Sequence, residues 1–225
     1  MLEAAFSSYI FMISIKKYVI AVLVLHGLNG PETAHALAGR FSIELSPALS
    51  INKIYNFNSN KIALKDRGIA PGLISGLAYH FPLRAHCSVS AGVSYALGHM
   101  GVITLRSASE AYETYLLQSI WLPILCRLYT SEIKLDTSMY FKLGFIPSIG
   151  LPSRPISSKV KGTKLVSTRQ FNGWMHLGGG VKYDFSLTNS LMVGISYYGD
   201  VSGIMHTEEA YGHNHFFCLD ICLLF

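Results

Sequence analysis

The sequence predicts an all-β fold, a transmembrane up-and-down antiparallel barrel of about eight strands. Three observations carry that expectation: an apolar composition without helical spans, repeated period-two segments, and connections that alternate between short and long. The chain has 225 residues, 50% of them hydrophobic and 14% charged, with a mean hydropathy of +0.35. An ordinary soluble domain carries nearer a quarter charged residues, so an apolar phase other than a soluble core is expected to receive this surface. After the N-terminal stretch no uninterrupted apolar run reaches the roughly 18 residues of a helical span, and the richest, 120–125, is broken by Pro123. Only helices and closed barrels satisfy every backbone group in lipid, which leaves the barrel.

The first 38 residues read as an export signal and residues 39–225 as one barrel domain. Lys16 and Lys17 precede the apolar stretch 18–25, and a polar linker, 26–33, leads to the small residues Ala34, Ala36 and Ala38. That order of basic, apolar and small residues is what signal peptidase requires, so cleavage is expected after Ala36 or Ala38. Met12 begins a more compact start than Met1 and is the expected initiator. An uncleaved helical anchor is the alternative, because charge interrupts 10–25 only at the two lysines.

The strands follow in order. In 39–51 the apolar Phe41, Ile43, Leu45, Leu49 and Ile51 alternate with Arg40, Ser42, Glu44, Ser46 and Ser50, and segments 69–81 and 87–97 repeat the pattern. A strand with two chemically different faces has this period. The fourth, 115–128, sets Leu116, Ile120, Leu122, Ile124 and Leu128 against Ser119, Trp121, Pro123 and Arg127. Because proline removes a ladder donor, a bulge or break is expected at Pro123. Segments 135–149, 173–185, 191–197 and 215–225 complete the set. The connections 82–86, 129–134 and 186–190 are short, whereas 52–68, 104–114, 152–172 and 202–214 are long and polar. Short periplasmic turns and long outer loops give this rhythm, which puts both termini on the periplasmic side of a bacterial outer membrane.

Period two does not say which face is inside. The export signal, and aromatic residues at strand ends on the apolar face (Tyr79, Phe81, Tyr183, Phe185, Phe225), place lipid outside. The other face mixes glycine and serine with Arg40, Arg127, Lys142 and Lys182 and with Glu44, Asp184, Asp200 and Asp220. Enclosed charges need partners, and about eight strands leave room only for side chains, so a filled interior is expected instead of a pore.

The terminal segment 217–225 carries Phe217, Leu219, Ile221, Leu223 and Phe225 at every second position. It resembles the assembly signal of outer-membrane barrels, which implies recognition by the barrel-assembly machinery. Trp121-Leu122-Pro123, Tyr140-Phe141-Lys142-Leu143-Gly144 and Gly178-Gly179-Gly180-Val181-Lys182-Tyr183 are similar to the PorT-like outer-membrane β-barrel family of Bacteroidota. That resemblance implies an eight-stranded barrel of the OmpA and OmpX architecture. It also implies, for one member, a link to type IX secretion.

Cys218 and Cys222 share the inward face about 13 Å apart, beyond disulfide reach, and are expected as buried thiols. Cys87 and Cys126 lie at ends of neighbouring strands, either paired or free. The loop 152–170 holds Arg154, Lys159, Lys161, Lys164 and Arg169 without an acid. It could contact lipopolysaccharide phosphates or an acidic host polymer, or simply be solvated. His206, Glu208, Glu209, His213 and His215 cluster near the last loop. His213 and His215 could chelate a metal from one strand face, but solvated imidazoles are the expectation. No cofactor, resident metal or nucleic-acid partner is expected.

The favoured function is a non-enzymatic barrel with surface loops for envelope structure or binding. Its expected partners are outer-membrane lipid, lipopolysaccharide and the assembly machinery. The alternatives are a component of a secretion machine, a surface adhesin and a lipid-modifying enzyme. Outer-membrane lipid A deacylases use a Ser and a His on a late strand, and residues 196–202 occupy a comparable place. The sequence sets no His beside Ser196 or Ser202 to act as base, so no catalytic residue is expected.

Overall fold

The computed structural model describes residues 39–56, 63–66, 68–84, 86–106, 109–158, 169–206 and 210–225. The expected leader, 1–38, lies outside the described residues, as do Lys159, Lys161, Lys164, Glu208 and Glu209.

All regular structure among the described residues is β. In chain order the strands are β1 (Arg40–Asn56), β2 (Ala63–Asp66), β3 (Ile69–Arg84), β4 (Cys87–Arg106), β5 (Ser109–Trp121) and β6 (Ile124–Tyr129). Then follow β7 (Thr137–Gly150), β8 (Arg154–Ser158), β9 (Phe171–Asp184), β10 (Ser190–Asp200), β11 (Met205–His206) and β12 (Ala210–Leu224). β5 and β6 are two halves of one strand, since both lie between β4 and β7. Every pairing is antiparallel, and the order β1, β3, β4, β5/β6, β7, β9, β10, β12 returns to β1, an eight-stranded closed ring. The short β2, β8 and β11 add to β4, β5 and β12 at one end.

That end carries the longer connections and is called the loop end; the other, with Arg40 and Phe225, is the terminal end. The break at Pro123 is where the sequence placed it: Leu122 and Pro123 leave the ladder. The freed groups are still used, as Leu122 N donates to Pro147 O (2.9 Å) and Gly92 N to Pro123 O (3.2 Å). One connection differs from expectation. Thr104 to Thr114 is not a long polar loop, because β4 and β5 stay paired up to Arg106 and Ser109. The apolar alternation stops at the membrane surface, but backbone pairing of residues with high β-propensity, such as Val102, Ile103 and Tyr112, continues past it.

The ring closes between β1 and β12, where Phe41 and Phe225 exchange both backbone bonds at 3.0 Å. Every second residue of β1 repeats that exchange, a series that includes position 47. Pro47 has no N–H to give, and the pairing skips Ser46 and Pro47. A side chain spans the gap instead: Ser46 Oγ donates to Asp220 Oδ1 at 2.7 Å.

The faces are as the period-two reading has them. Phe41, Ile43, Leu45, Leu77, Val93, Phe141, Leu177, Ile195 and Leu219 stand exposed on the outside, while Ser42, Ser46, Ser50, Ser90, Arg127, Lys142 and Asp220 are buried within. Gly179 is a gap in the outward row, and the Phe141 ring leans over it, 3.9 Å from where a Cβ would stand. At the terminal end Phe41, Tyr79 and Phe81 contact edge to face with centroids 4.8 and 4.6 Å apart. Tyr183, Phe185 and Phe225 continue this exposed aromatic ring.

A cation at mid-strand on the outer face must leave water for hydrocarbon. Phe141→Arg and Leu177→Arg are each expected to lower stability by about 2 to 4 kcal/mol in denaturant titrations of the barrel folded into vesicles. Leu135→Arg, in a turn at the terminal end where Leu135 is exposed, should change it by less than about 0.5 kcal/mol. Equal effects at all three would reverse the assigned faces.

Candidate functional site

A closed ring of eight strands encloses a narrow lumen, and its inward rows must fill it. Glycines set the plan. Tyr140, Gly180 and Gly194 lie side by side on β7, β9 and β10. A Cβ on Gly194 would meet the Tyr140 hydroxyl, and one on Gly178 would come within 2.9 Å of Lys142 Cε. Small residues on two strands thus make space for two long side chains on a third.

Those long side chains end in an ion-paired network. Arg127 Nη2 meets Glu44 Oε1 at 2.6 Å and Lys142 Nζ meets Asp220 Oδ2 at 2.7 Å. Nearer the terminal end Lys182 Nζ pairs with Asp184 Oδ2 at 2.7 Å. Arg40 takes no acid and donates to Ser190 Oγ (3.1 Å) and Leu187 O (3.0 Å). Asp200 faces His213 across 3.6 Å and accepts from the Ser202 and Gly203 amides. Four of the eight charges foreseen for the interior therefore form two buried pairs, two more pair at the rim, and Arg40 and Asp200 are held by other groups.

Around Arg127 the hydrogen bonds fix a tautomer. Arg127 Nη1 donates to His80 Nδ1 (2.9 Å) and to Ser90 Oγ (2.6 Å). Since Nδ1 accepts, Nε2 carries the proton and donates to Ser42 Oγ at 2.8 Å. Glu44, His80 and Cys222 bring ligand atoms within 4.8 Å of one another. The cation seated among them is the guanidinium, whose charge opposes a metal at the same place.

The serine on β10 is a correction to the sequence reading. His176 does lie beside Ser196, with Nε2 3.1 Å from Oγ, because antiparallel pairing brings β9 against β10. The arrangement is nevertheless not that of an activated nucleophile. Ser196 Oγ donates to Asp220 Oδ2, so its only proton is committed and His176 Nε2 must be the donor to it. A general base would need the opposite polarity. All three residues are buried inside the barrel. Ser202 is also structural, accepting from Gly173 N at 2.9 Å.

Above this network the lumen is plugged by aromatic rings. Trp121 lies 4.9 Å from Trp174, 5.1 Å from Tyr198 and 5.8 Å from Phe216. Their polar edges are used, since Trp174 Nε1 donates to Ser148 (3.0 Å) and Trp121 Nε1 to Ser119 (2.7 Å). The void beside Trp174 and Phe216 is about 30 Å³, too small for a ligand. Nearer the loop end Ser50 donates to Asn214 Oδ1 (2.9 Å) and Asn52 to His99 O (3.0 Å).

The remaining foreseen residues fall elsewhere. Phe217, Leu219, Ile221 and Leu223 form the outward row of β12, and Phe225 continues it past the end of the strand. Arg169 is exposed at the loop end, where Nη1 donates to Ser202 O at 2.7 Å, and Arg154 begins β8. Cys87, Cys126, Cys218 and Cys222 are all free thiols. His213 and His215 are not the solvated imidazoles expected: they are partly buried on the outer face of β12, among Tyr55, Tyr211 and Tyr197. His80 and His176 stand on inward rows, and local alternation gives them no partners, because those partners come from other strands.

Comparison with known proteins agrees with this architecture. The fold is similar to the outer membrane protein OprG of Pseudomonas aeruginosa, with a TM-score of 0.54 at 11% identity over 84% of this chain and 97% of that one. Neisserial surface protein A matches at a TM-score of 0.46 and 12% identity, over 82% of this chain and 97% of that one. Ail, the attachment invasion locus protein of Yersinia pestis, matches at 0.35 and 14% over 82% and 98%. No curated protein matches the sequence. Residues 36–201 match the family described as "Outer membrane protein beta-barrel domain". With the match reaching across most of the ring, the chain belongs to that family of outer-membrane β-barrel proteins.

Proposed function

We propose that this barrel is a sealed, non-enzymatic protein of the outer membrane that acts through its loop end, as envelope structure or as a binding surface. The observation that carries this reading is the filled lumen. Trp121, Trp174, Tyr198 and Phe216 occupy its cross-section above the two buried ion pairs. A solute path would have to displace both layers. Residues 1–38 act as the leader for Sec export, and both termini face the periplasm. The loop residues Arg154, Lys159, Lys161, Lys164 and Arg169 offer positive charge to lipopolysaccharide or another acidic polymer, with Arg169 tied to the loop that follows β10.

Kinship with PorT-like barrels of Bacteroidota, and through it a place beside a secretion machine, is a subordinate reading. Much of its motif has an architectural job here. Trp121 belongs to the plug, Pro123 to the strand break, and Gly178 makes room for Lys142. An adhesin would use the same loops, and a lipid-modifying enzyme would need a serine other than Ser196.

Planar bilayers with the purified barrel should show no stable channel conductance, and a reproducible open channel would overturn the sealed reading. Lipid hydrolysis should stay at background for the natural chain and for Ser196→Ala and Ser202→Ala alike.

Export and assembly have their own tests. Mass spectrometry of the membrane form should find a mature N-terminus between Leu37 and Gly39; retention of 18–25 would refute the leader. Deleting Phe225 removes both bonds to Phe41, and Phe225→Ser with Leu223→Ser removes the end of the apolar row. Each should impair insertion, read as lost heat-modifiability on gels and lost membrane fractionation, while Cys222→Ser does much less.

A further inference from the structure

The outer face of the ring is apolar along most of its height, but not at the loop end of the β1–β12 seam. There Lys53 pairs in register with His213, Tyr55 with Tyr211 and Ile51 with His215. Tyr55 and Tyr211 stack at 4.9 Å, and His213 stands edge-on to both at 6.3 and 5.5 Å. On the next strand Tyr197 stacks on His215 at 5.8 Å, with its hydroxyl 2.8 Å from His215 Nδ1. On the described outward rows of the eight strands the formally charged side chains are Arg84, at the terminal end of β3, and Lys53 at the loop end, which makes no ion pair or hydrogen bond among the described residues.

Height in the membrane decides what this cluster meets. Phe41, in the aromatic ring at the terminal end, and Lys53 are 12 residues apart on β1. At about 3.3 Å per residue and a tilt near 40°, that separation is roughly 30 Å along the barrel axis. The apolar band of such barrels is about 25 Å tall, so Lys53 and His213 stand about 5 Å beyond it, at headgroup level. Directly below them Leu49, Phe217 and Leu219 are exposed for acyl chains. Among the described acids Asp200 stands nearest, 3.6 Å from His213 Nδ1. Its other oxygen is taken by the Ser202 and Gly203 amides.

We propose that Lys53, His213 and His215, framed by Tyr55, Tyr211 and Tyr197, form a binding site for the phosphate of an outer-leaflet glycolipid. Its acyl chains would lie on the apolar strip beneath. An ammonium and, on the adjacent strand, imidazole N–H donors can hydrogen-bond a phosphate, and the tyrosines suit a boundary that is apolar on one side and wet on the other. The site is separate from the basic loop, and it rests on the proposed orientation only in assigning the lipid to the outer leaflet.

The test uses the full mature chain in phosphatidylcholine nanodiscs doped with lipopolysaccharide, counting retained lipid by native mass spectrometry. The natural chain should retain lipopolysaccharide saturably. Lys53→Gln with His213→Gln should weaken retention about tenfold, Lys53→Arg should preserve it, and Lys134→Gln at the opposite end should leave it unchanged. Dephosphorylated lipopolysaccharide should behave like the double variant. Heat-modifiability verifies folding, and if the double variant does not fold, Lys53→Gln alone should still weaken retention severalfold. Equal retention by these variants, or of the dephosphorylated lipid, overturns the proposal. So does competition by inorganic phosphate at concentrations equal to the lipid phosphate, which would mark a free-anion site. The disc presents both bilayer faces, so this result does not depend on orientation; trypsin cleavage at Lys159, Lys161 or Lys164 on intact cells tests orientation separately.

Discussion

Hydrocarbon offers a backbone no hydrogen-bonding partner, so the last strand of this chain must meet the first. Everything else in the structure depends on that seam. It runs from Ser42 opposite Leu224 to Asn56 opposite Ala210, and the outermost pair, Phe41 and Phe225, is doubly bonded. Its single irregularity is at Ser46 and Pro47, where the chain substitutes a buried side-chain bond from Ser46 to Asp220 for a backbone bond. The seam is thus held partly through the lumen, which couples ring closure to interior packing.

Closure at eight strands fixes the volume to be filled, and the inward rows fill it by complementing size and charge. Gly178 and Gly194 give up side chains so that Lys142 and Tyr140 can extend. The two buried pairs that result reach across the lumen and not along the wall. Arg127 on β6 meets Glu44 on β1, and Lys142 on β7 meets Asp220 on β12, each pair separated by several strands around the ring. Removing one member would leave an uncompensated buried charge, a loss of about 3 to 5 kcal/mol. A one-residue slip would turn any of the four toward lipid. The same pairs therefore act against wrong registers during closure.

This division explains what was legible in the sequence. The alternation Phe41, Ile43, Leu45 against Ser42, Glu44, Ser46 states which residues share a face, because period two is a local property of the strand. Pro123 announced its break for the same reason, since a missing donor is local. The pairing of Arg127 with His80 and Glu44 was not legible: three strands far apart in sequence meet there, and alternation does not fix the register between them. His176 beside Ser196 escaped for that reason too, the two residues being on neighbouring strands 20 positions apart. The β4–β5 hairpin was missed for a different cause. Alternation is imposed by lipid and ends with it, whereas ladder hydrogen bonds between Arg106 and Ser109 need no apolar face.

The two ends of the barrel then differ in a way that constrains any function. The terminal end is finished by aromatic rings on the outer wall, Phe41, Tyr79, Phe81, Tyr183 and Phe225, and by tight turns. The loop end carries histidines and the outward Lys53, a hairpin that outlasts the apolar band, and three short strands added to the ring. Among the described residues Trp121 and Trp174 fill the lumen between the two ends. On the proposed reading, recognition is then read out where it occurs, by what the loop end or the seam wall holds in place, and not by anything admitted through the barrel.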